Sequence, residues 1–370
     1  MGRGWGRPAP RYPPRLPDRL YLRSFGAVPG QSRDTRGTFA MAEDKLYRVA
    51  LREALSEEME RDDSVYLIGE DIGKFGGAYR VTDGLLDKFG AHRVVDAPIA
   101  EEAIVGTAIG SAMLGLRPVV EMMTINFSLI AYDQIVNNAA KIRYMFGGEA
   151  QVPLVIRMPG GAGHQLSAQH SHSLEVLYGL IPGLLVVAPT TPEDAKGMLK
   201  SAIRTDNPVM FLESMSLYNV RGPVPEGDYT TPIGTAAVRR RGSDVTIIGV
   251  SRMAVLANEA AKQLEEEDID AEVIDLRSIR PIDWAPITES VTRTTRAVVV
   301  EEGWSTYGVT AELAAGIQER CFDNLDAPIL RLGGAQVPMP YSLPLEKASI
   351  PTAEDIKRLV RRTVGKKVDA

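Results

Sequence analysis

The residues with most chemistry to offer fall in a few short segments. Asp96-Ala97-Pro98-Ile99-Ala100-Glu101-Glu102 joins a strand-like run to an apolar stretch rich in small residues. Acidic residues in a helix's first turn are favoured by its dipole. A carboxylate in surroundings that dry also gains proton affinity and can share a proton with a basic ring nitrogen. Residue types alone leave both roles open. Met122-Met123-Thr124-Ile125-Asn126-Phe127-Ser128 ends a second run, and Phe127 suits either the core or a platform for a flat heteroaromatic ring. Pro159-Gly160-Gly161-Ala162-Gly163-His164 follows a third. Its glycines suit a flexible loop over a site, since the spacing is not GxGxxG and no GK[ST] follows. In Ser167-Ala168-Gln169-His170-Ser171-His172 no third metal ligand is nearby. One histidine acting as a proton donor is the sharper use, set against two satisfied loop histidines. Glu70, in Gly69-Glu70-Asp71-Ile72-Gly73, sits at a strand's carboxyl end, where α/β proteins bind ligands.

The elements that must position these groups can be read from periodicity. Leu46, Val49, Ala50, Ala54, Leu55 and Met59 recur at helical spacing, which predicts an amphipathic helix over 44–61. Six continuous apolar runs follow: VYLIG (65–69), HRVVD (92–96), RPVVEMM (117–123), PLVIRM (153–158), LLVVAP (184–189) and PVMFLE (208–213). Unbroken runs are what strands look like when helices cover both sheet faces. Helical stretches are predicted at 101–114, 129–145 and 192–204, and the alternation argues for a parallel sheet. Residues 219–234, rich in Pro, Gly and polar residues, read as a linker. A second set follows: DVTIIGV (244–250), a helix near 253–267, AEVIDL (271–276), RAVVVEEG (296–303), a helix near 308–321 and PILRLGG (328–334). The expectation is two α/β domains, 41–218 and 235–370, with the helix that opens at Glu101 packed against close neighbours.

Composition narrows the function. The 370 residues are 24% charged, 44% hydrophobic and 6% aromatic, as in an ordinary globular protein. No apolar run approaches the ~20 residues of a membrane span. A lone cysteine, Cys321, excludes a disulfide framework, and four histidines leave little room for a histidine metal centre. Residues 1–40 hold eight arginines against two aspartates, a balance of +6, so the net charge of −6 leaves −12 on the rest. An acidic body argues against nucleic acid as a partner. Residues 1–40, also rich in Pro and Gly, read as a disordered leader. An upstream stretch read as coding, with Met41 as the natural start, is favoured over a transit peptide, because the prolines oppose an amphipathic helix. GxSxG, HExxH, P-loop and dinucleotide motifs are absent.

Taken in order, GEDIGKFGGAYRVTDGL (69–85), DAPIAE (96–101), GLRPVVEMMTINFSL (115–129), DQIVNNAAK (133–141), AQHSHS (168–173), SAIRTDNPV (201–209), DLRSIRPID (275–283), VEEGW (300–304) and VPMPY (337–341) resemble the beta subunits of the thiamine-diphosphate-dependent 2-oxoacid dehydrogenases, with the pyruvate branch nearest. The resemblance runs from about Leu46 to Val364. It implies a pyrimidine-binding thiamine-diphosphate fold followed by a transketolase C-terminal-like domain. It also implies that Glu101 meets N1′ of the aminopyrimidine and promotes the imino form that takes the thiazolium C2 proton. Phe127 would pack on the pyrimidine, Met123 and Glu70 would line its pocket, and His170 would assist proton transfer during reductive acylation.

The same resemblance implies partners. An alpha subunit would grip the diphosphate and magnesium through a Gly-Asp-Gly motif, which this chain lacks. The assembly would be an α2β2 heterotetramer, and the acyl group would pass to a lipoyl-bearing dihydrolipoamide acetyltransferase. A structural potassium ion would be bound by main-chain carbonyls at Leu154, Ala202, Ile203, Thr205 and Asn207, with Thr205 replacing the usual acidic residue. Ala100 stands where the family has serine. The implied location is the bacterial cytoplasm, or the mitochondrial matrix if residues 1–40 are a transit peptide. Branched-chain 2-oxoacid and acetoin dehydrogenases keep the mechanism and change the substrate. A self-contained transketolase or deoxyxylulose phosphate synthase fails for want of the diphosphate-binding half.

Overall fold

The computed structural model describes residues 42–365. The reading of residues 1–40 as a leader lies outside that range. Fourteen strands are present among the described residues: β1 (Glu43–Leu46), β2 (Val65–Gly69), β3 (Val94–Asp96), β4 (Arg117–Glu121), β5 (Val155–Gly160), β6 (Leu185–Val187), β7 (Val209–Ser214), β8 (Arg221–Val224), β9 (Ala237–Arg240), β10 (Val245–Gly249), β11 (Ala271–Asp275), β12 (Ser278–Arg280), β13 (Ala297–Trp304) and β14 (Leu330–Gly334). The first large sheet has the order β12-β6-β7-β5-β4-β2-β3, and the second β14-β13-β10-β11-β9. Pairing is parallel except at β12–β6 and β11–β9. The apolar runs therefore became strands for the expected reason. Every residue of β6, β7, β10 and β11 is buried, so both sheet faces are covered.

Three local readings are corrected. The predicted first helix begins later: Glu43–Leu46 pairs antiparallel with β8, and helix α1 runs Tyr47–Arg61. Residues 219–234 thus open with a strand. The stretch 129–145 is helical but not one α-helix. It is a 3₁₀ turn (Phe127–Leu129), a π-helix (Gln134–Ala139) and a short α-turn (Ile142–Met145). The widened Ala140 N–H to Ile135 O bond of 3.0 Å seats Ile135 and Ala139 in the core, and such bulges accumulate at functional sites. Lastly, β12 lies after β11 in sequence yet joins the edge of the first sheet.

Helix α2 (Glu101–Met113) follows β3. It buries Ile104, Val105, Ala108, Ile109 and Ala112. The expectation that its small residues pack against close neighbours holds for that face only, since Ala103, Thr107 and Gly110 are exposed. Helix α3 (Pro192–Arg204) starts at Thr191, whose hydroxyl accepts the Asp194 N–H, with Pro192 in the first turn. It faces α1 across ion pairs Lys196–Glu57 at 2.6 Å, Lys200–Glu57 at 2.7 Å and Arg204–Glu58 at 2.6 Å. Helices α4 (Arg252–Glu265), α5 (Val309–Cys321) and α6 (Leu343–Ser349) belong to the second sheet's region. The two regions are tied by buried polar contacts: Thr190 Oγ1 donates to Asp275 Oδ1 at 2.9 Å and Arg277 Nη1 to Asp194 Oδ1 at 2.7 Å.

Candidate active site

Four parallel strands present their carboxyl ends on one side of the first sheet, and each delivers a candidate residue there. Glu70 follows β2, Glu101 follows β3, Met123 and Phe127 follow β4, and His170 lies in the loop after β5. That is where an open α/β sheet binds ligands. Asp96 sets the first corner: its carboxylate accepts Gly73 N–H at 2.6 Å and fixes the turn behind Glu70.

Glu101 is the first residue of α2. Ala100, at the cap position, offers no side-chain acceptor, so the helix's first N–H groups are not consumed by a cap. Glu101 is only 5% exposed, yet its carboxylate has no hydrogen-bond partner among the described residues. Burial first, then the charges of Glu101 and Asp71, push the Glu70 carboxyl above its usual range. The two glutamates therefore share one corner. They differ from a structural pair in having no cation beside them among the described residues, and the Glu101 side chain, buried along its length, opens its carboxylate to a cleft. A cleft of ≈ 600 Å³ opens here, lined by Glu101, Glu102, Gly106, Thr107, Ile130 and Gln134.

Phe127 and His170 are brought together edge to face, with ring centroids 5.2 Å apart at 85°. Met123 is half-buried four residues earlier. Ile130 and Gln134, just beyond Phe127 in the chain, line the Glu101 cleft. Two residues that sequence reading missed lie between Met123 and Phe127 in the chain. Thr124 Oγ1 and both amide atoms of Asn126 are buried and unpartnered. Their signal was only polarity within an apolar strand end. Unpaired buried polar atoms call for a bound group or water.

The His170 loop leaves β5 through glycines. Gly161 has φ +93°, and a Cβ there would meet Glu302 Oε1 at 2.8 Å. The loop closes on itself where Gly161 N–H donates to His172 O at 2.9 Å. His172 lies 5.7 Å from the Trp304 ring, and burial pushes its imidazole pKa down. Behind the site, Arg157 is fully buried. It donates to both oxygens of Glu213, at 2.7 and 2.8 Å, and to Glu121, while Tyr218 OH reaches Glu213 at 2.7 Å.

The five residues expected at a cation are elsewhere, under the amino ends of β4 and β7. The carbonyls of Ile203 and Thr205 converge on one cationic nitrogen, Arg117 Nη1, 3.0 Å from each. Arg117 Nη2 donates to Asp206 at 2.6 Å. The Leu154 carbonyl accepts Val209 N–H at 2.8 Å, and Asn207 donates to Thr205 Oγ1 at 3.3 Å. Ala202 lies in the last turn of α3, its side chain buried. Each of these carbonyls keeps a second lone pair. No group of three or more His, Cys, Asp or Glu among the described residues is placed to hold a metal.

With this geometry in view, comparison with known proteins is decisive. Residues 44–221 match the transketolase pyrimidine-binding domain and residues 234–356 the transketolase C-terminal domain. A protein of Rickettsia felis named pyruvate dehydrogenase E1 component subunit beta is 49% identical over 85% of this chain and 97% of its own length. The chain belongs to the family of pyruvate dehydrogenase E1 beta subunits. A mitochondrial member from Arabidopsis thaliana is 46% identical over 91% of this chain and 96% of its own, and one from Caenorhabditis elegans is 48% identical over 86% and 92%. Among solved structures, a split-gene transketolase described as an inactive beta4 tetramer matches with TM-score 0.71 and 25% identity, over 87% of this chain and 99% of that one. A transketolase of Pichia stipitis shares the fold at TM-score 0.61, and the match spans 46% of it. As an E1 beta member the chain has two α/β domains of transketolase type, and its first domain is of the kind that binds the pyrimidine of thiamine diphosphate.

Proposed function

We propose that this chain is the beta half of a thiamine-diphosphate site that oxidatively decarboxylates pyruvate and passes the acetyl group to the lipoyl group of a dihydrolipoamide acetyltransferase. The observation that carries this is Glu101: a buried carboxylate, unpartnered, at the mouth of a cleft and beside a second acid. A protonated ring nitrogen is the partner it lacks. Bound thiamine diphosphate would supply a thiazolium whose C2, once its proton is taken, adds to the 2-oxo group and whose ring holds the electrons as carbon dioxide leaves. Glu101 would hold the proton at N1′ of the pyrimidine. Glu70 and Met123 would close the pocket, Phe127 would offer its ring to the pyrimidine, and the unpaired Thr124 and Asn126 would gain hydrogen bonds. His170, turned against Phe127, would move a proton during acetyl transfer.

The exposed face of α2 supports a partner. Ala103, Thr107 and Gly110 allow close backbone approach, and Ile99 and Leu114 beside them are 80% and 88% exposed. An alpha subunit packed there would complete the cleft, bring the diphosphate grip and its magnesium, and form the α2β2 heterotetramer. The domain limits proposed are 41–218 and 235–370. A structural potassium ion would share the Ile203 and Thr205 carbonyls with Arg117, joined by those of Leu154, Ala202 and Asn207. No helix among the described residues is long and apolar enough to cross a membrane. The complex would work in a bacterial cytoplasm, or in the mitochondrial matrix if residues 1–40 direct it there. The test is turnover by the chain reconstituted with its alpha partner. Pyruvate consumed in preference to branched 2-oxoacids or acetoin supports the assignment, and the reverse preference removes it.

A further inference from the structure

The loop carrying His170 is held from outside its own domain. Gly163 N–H and Gln165 N–H both donate to Glu346 Oε1 at 3.0 Å, and Gln165 N–H also reaches Oε2 at 3.2 Å. Ala162 N–H donates to Glu302 Oε1 at 2.6 Å. Both acids come from the second region, Glu302 from β13 and Glu346 from α6. Glu346 is 0% exposed, and these two backbone donors are the only hydrogen-bond partners of its carboxylate among the described residues. No lysine or arginine among the described residues pairs with it. A buried carboxyl group answered only by main-chain N–H groups is held in a directional arrangement, because nothing else solvates it. Glu302 is steadied from behind by Arg252 Nη1 at 3.2 Å, which also reaches Ser216 Oγ at 3.3 Å.

The backbone being gripped resists that shape on its own. Gly163 has φ +103°, and Gln165 and Ser167, which carry side chains, have φ +55° and +64°. Non-glycine residues persist in the left-handed region when their surroundings hold them there. Beyond the clamp the chain turns at Ser167, whose carbonyl accepts the His170 N–H at 3.4 Å, and returns to the Gly161–His172 closure. His170 thus lies between two fixed points. Without the clamp, the base of the loop, the Ala162 carbonyl held by Ser216 Oγ at 3.1 Å and Arg252 Nη1 at 3.4 Å, and the Phe127 ring would be left to locate the imidazole.

We propose that Glu346, seconded by Glu302, is a positioning residue that sets the His170 loop for acetyl transfer to the lipoyl group. This rests on the role given to His170 above. It also gives the second domain a part in the reaction made on the first.

Two measurements separate the clamp from the histidine's role. In the isolated chain, Glu346→Ala should speed amide exchange at Gly163 and Gln165 by about tenfold or more. Unchanged exchange means the clamp does not hold the loop, whatever His170 does. In the holoenzyme with its alpha partner, Glu346→Ala should lower acetylation of a lipoyl domain by at least about tenfold, while ferricyanide-coupled decarboxylation falls less than about threefold. Equal loss in both assays, or loss in neither, overturns the proposal. Glu346→Gln, which keeps Oε1 in place, should restore lipoyl acetylation to within about threefold of the parent; Glu346→Asp, one methylene short, should not. The reverse order marks a charge effect and sinks the positional argument. His170→Ala run in parallel isolates the other premise: if acetyl transfer survives in it, the histidine assignment fails even though the clamp stands.

Discussion

Two sets of buried acids in the same sheet show opposite solutions to one problem. Behind the strands, Glu121 and Glu213 are answered by Arg157, and Tyr218 OH is a second donor to Glu213 Oε2. At the strand ends, Glu101 is as well buried and Glu70 stands near it, with no cation and no donor to Glu101. The first set is complete within the chain; the second is complete only when something else arrives. Glu101 matches Glu121 and Glu213 in burial, so what marks a site is the missing partner.

The sharpest way to break the contrast is to neutralise the incomplete acid. Glu101→Gln should cut decarboxylation by the reconstituted enzyme by roughly 10³-fold, in the range of lost acid–base catalysis, while thermal unfolding stays put. Retained turnover would make Glu101 a structural acid after all. Breaking the complete set should do the reverse in kind. Arg157→Met strands two carboxylates and should cost about 3–5 kcal/mol in denaturant unfolding, as for other broken buried pairs. A loss under about 1 kcal/mol would mean water reaches that network.

A pH series refines the comparison at a third acid. Burial, with Glu301 and Glu302 nearby, raises Glu175 to about 8. Its folded-state proton affinity exceeds the unfolded one, so the stability it contributes is full below the ordinary carboxylate pKa. That stability drains as pH rises through about 8. Thermal midpoints should therefore fall across that window in the parent and fall less in Glu175→Gln. Parallel curves would refute it. The smallest effect should come from exchanging potassium for sodium: Arg117 already answers two carbonyls, so the midpoint should drop by only a few degrees, on the order of 1 kcal/mol or less. A collapse would mean that the ion, not the guanidinium, holds the 201–207 turn.

Much of this was legible in the residues. Continuous apolar runs gave β2, β4, β5, β6, β7, β10 and β11, because strands buried on both faces leave no alternation to mislead. The order of acid, aromatic and histidine placed Glu70, Glu101, Phe127 and His170 on consecutive strand ends, since parallel topology sends each to the same side. The stretch 129–145 misread because a π-helix repeats almost like an α-helix and differs only in how it seats Ile135 and Ala139. The small-residue face of α2, with Ala103, Thr107 and Gly110 exposed, misread because composition cannot say which face of a helix its own chain covers. Glu346 was invisible: it lies 183 residues along the chain from Gly163, and one glutamate in a short helix carries no periodic signal.

Strand β12 has a practical consequence for anyone dividing the gene. It runs antiparallel along β6 and seals that margin of the first sheet. Severing the chain at residues 225–235 would send this seal away with the C-terminal piece. The N-terminal piece would then expose a row of bare peptide groups, ready to recruit any passing strand.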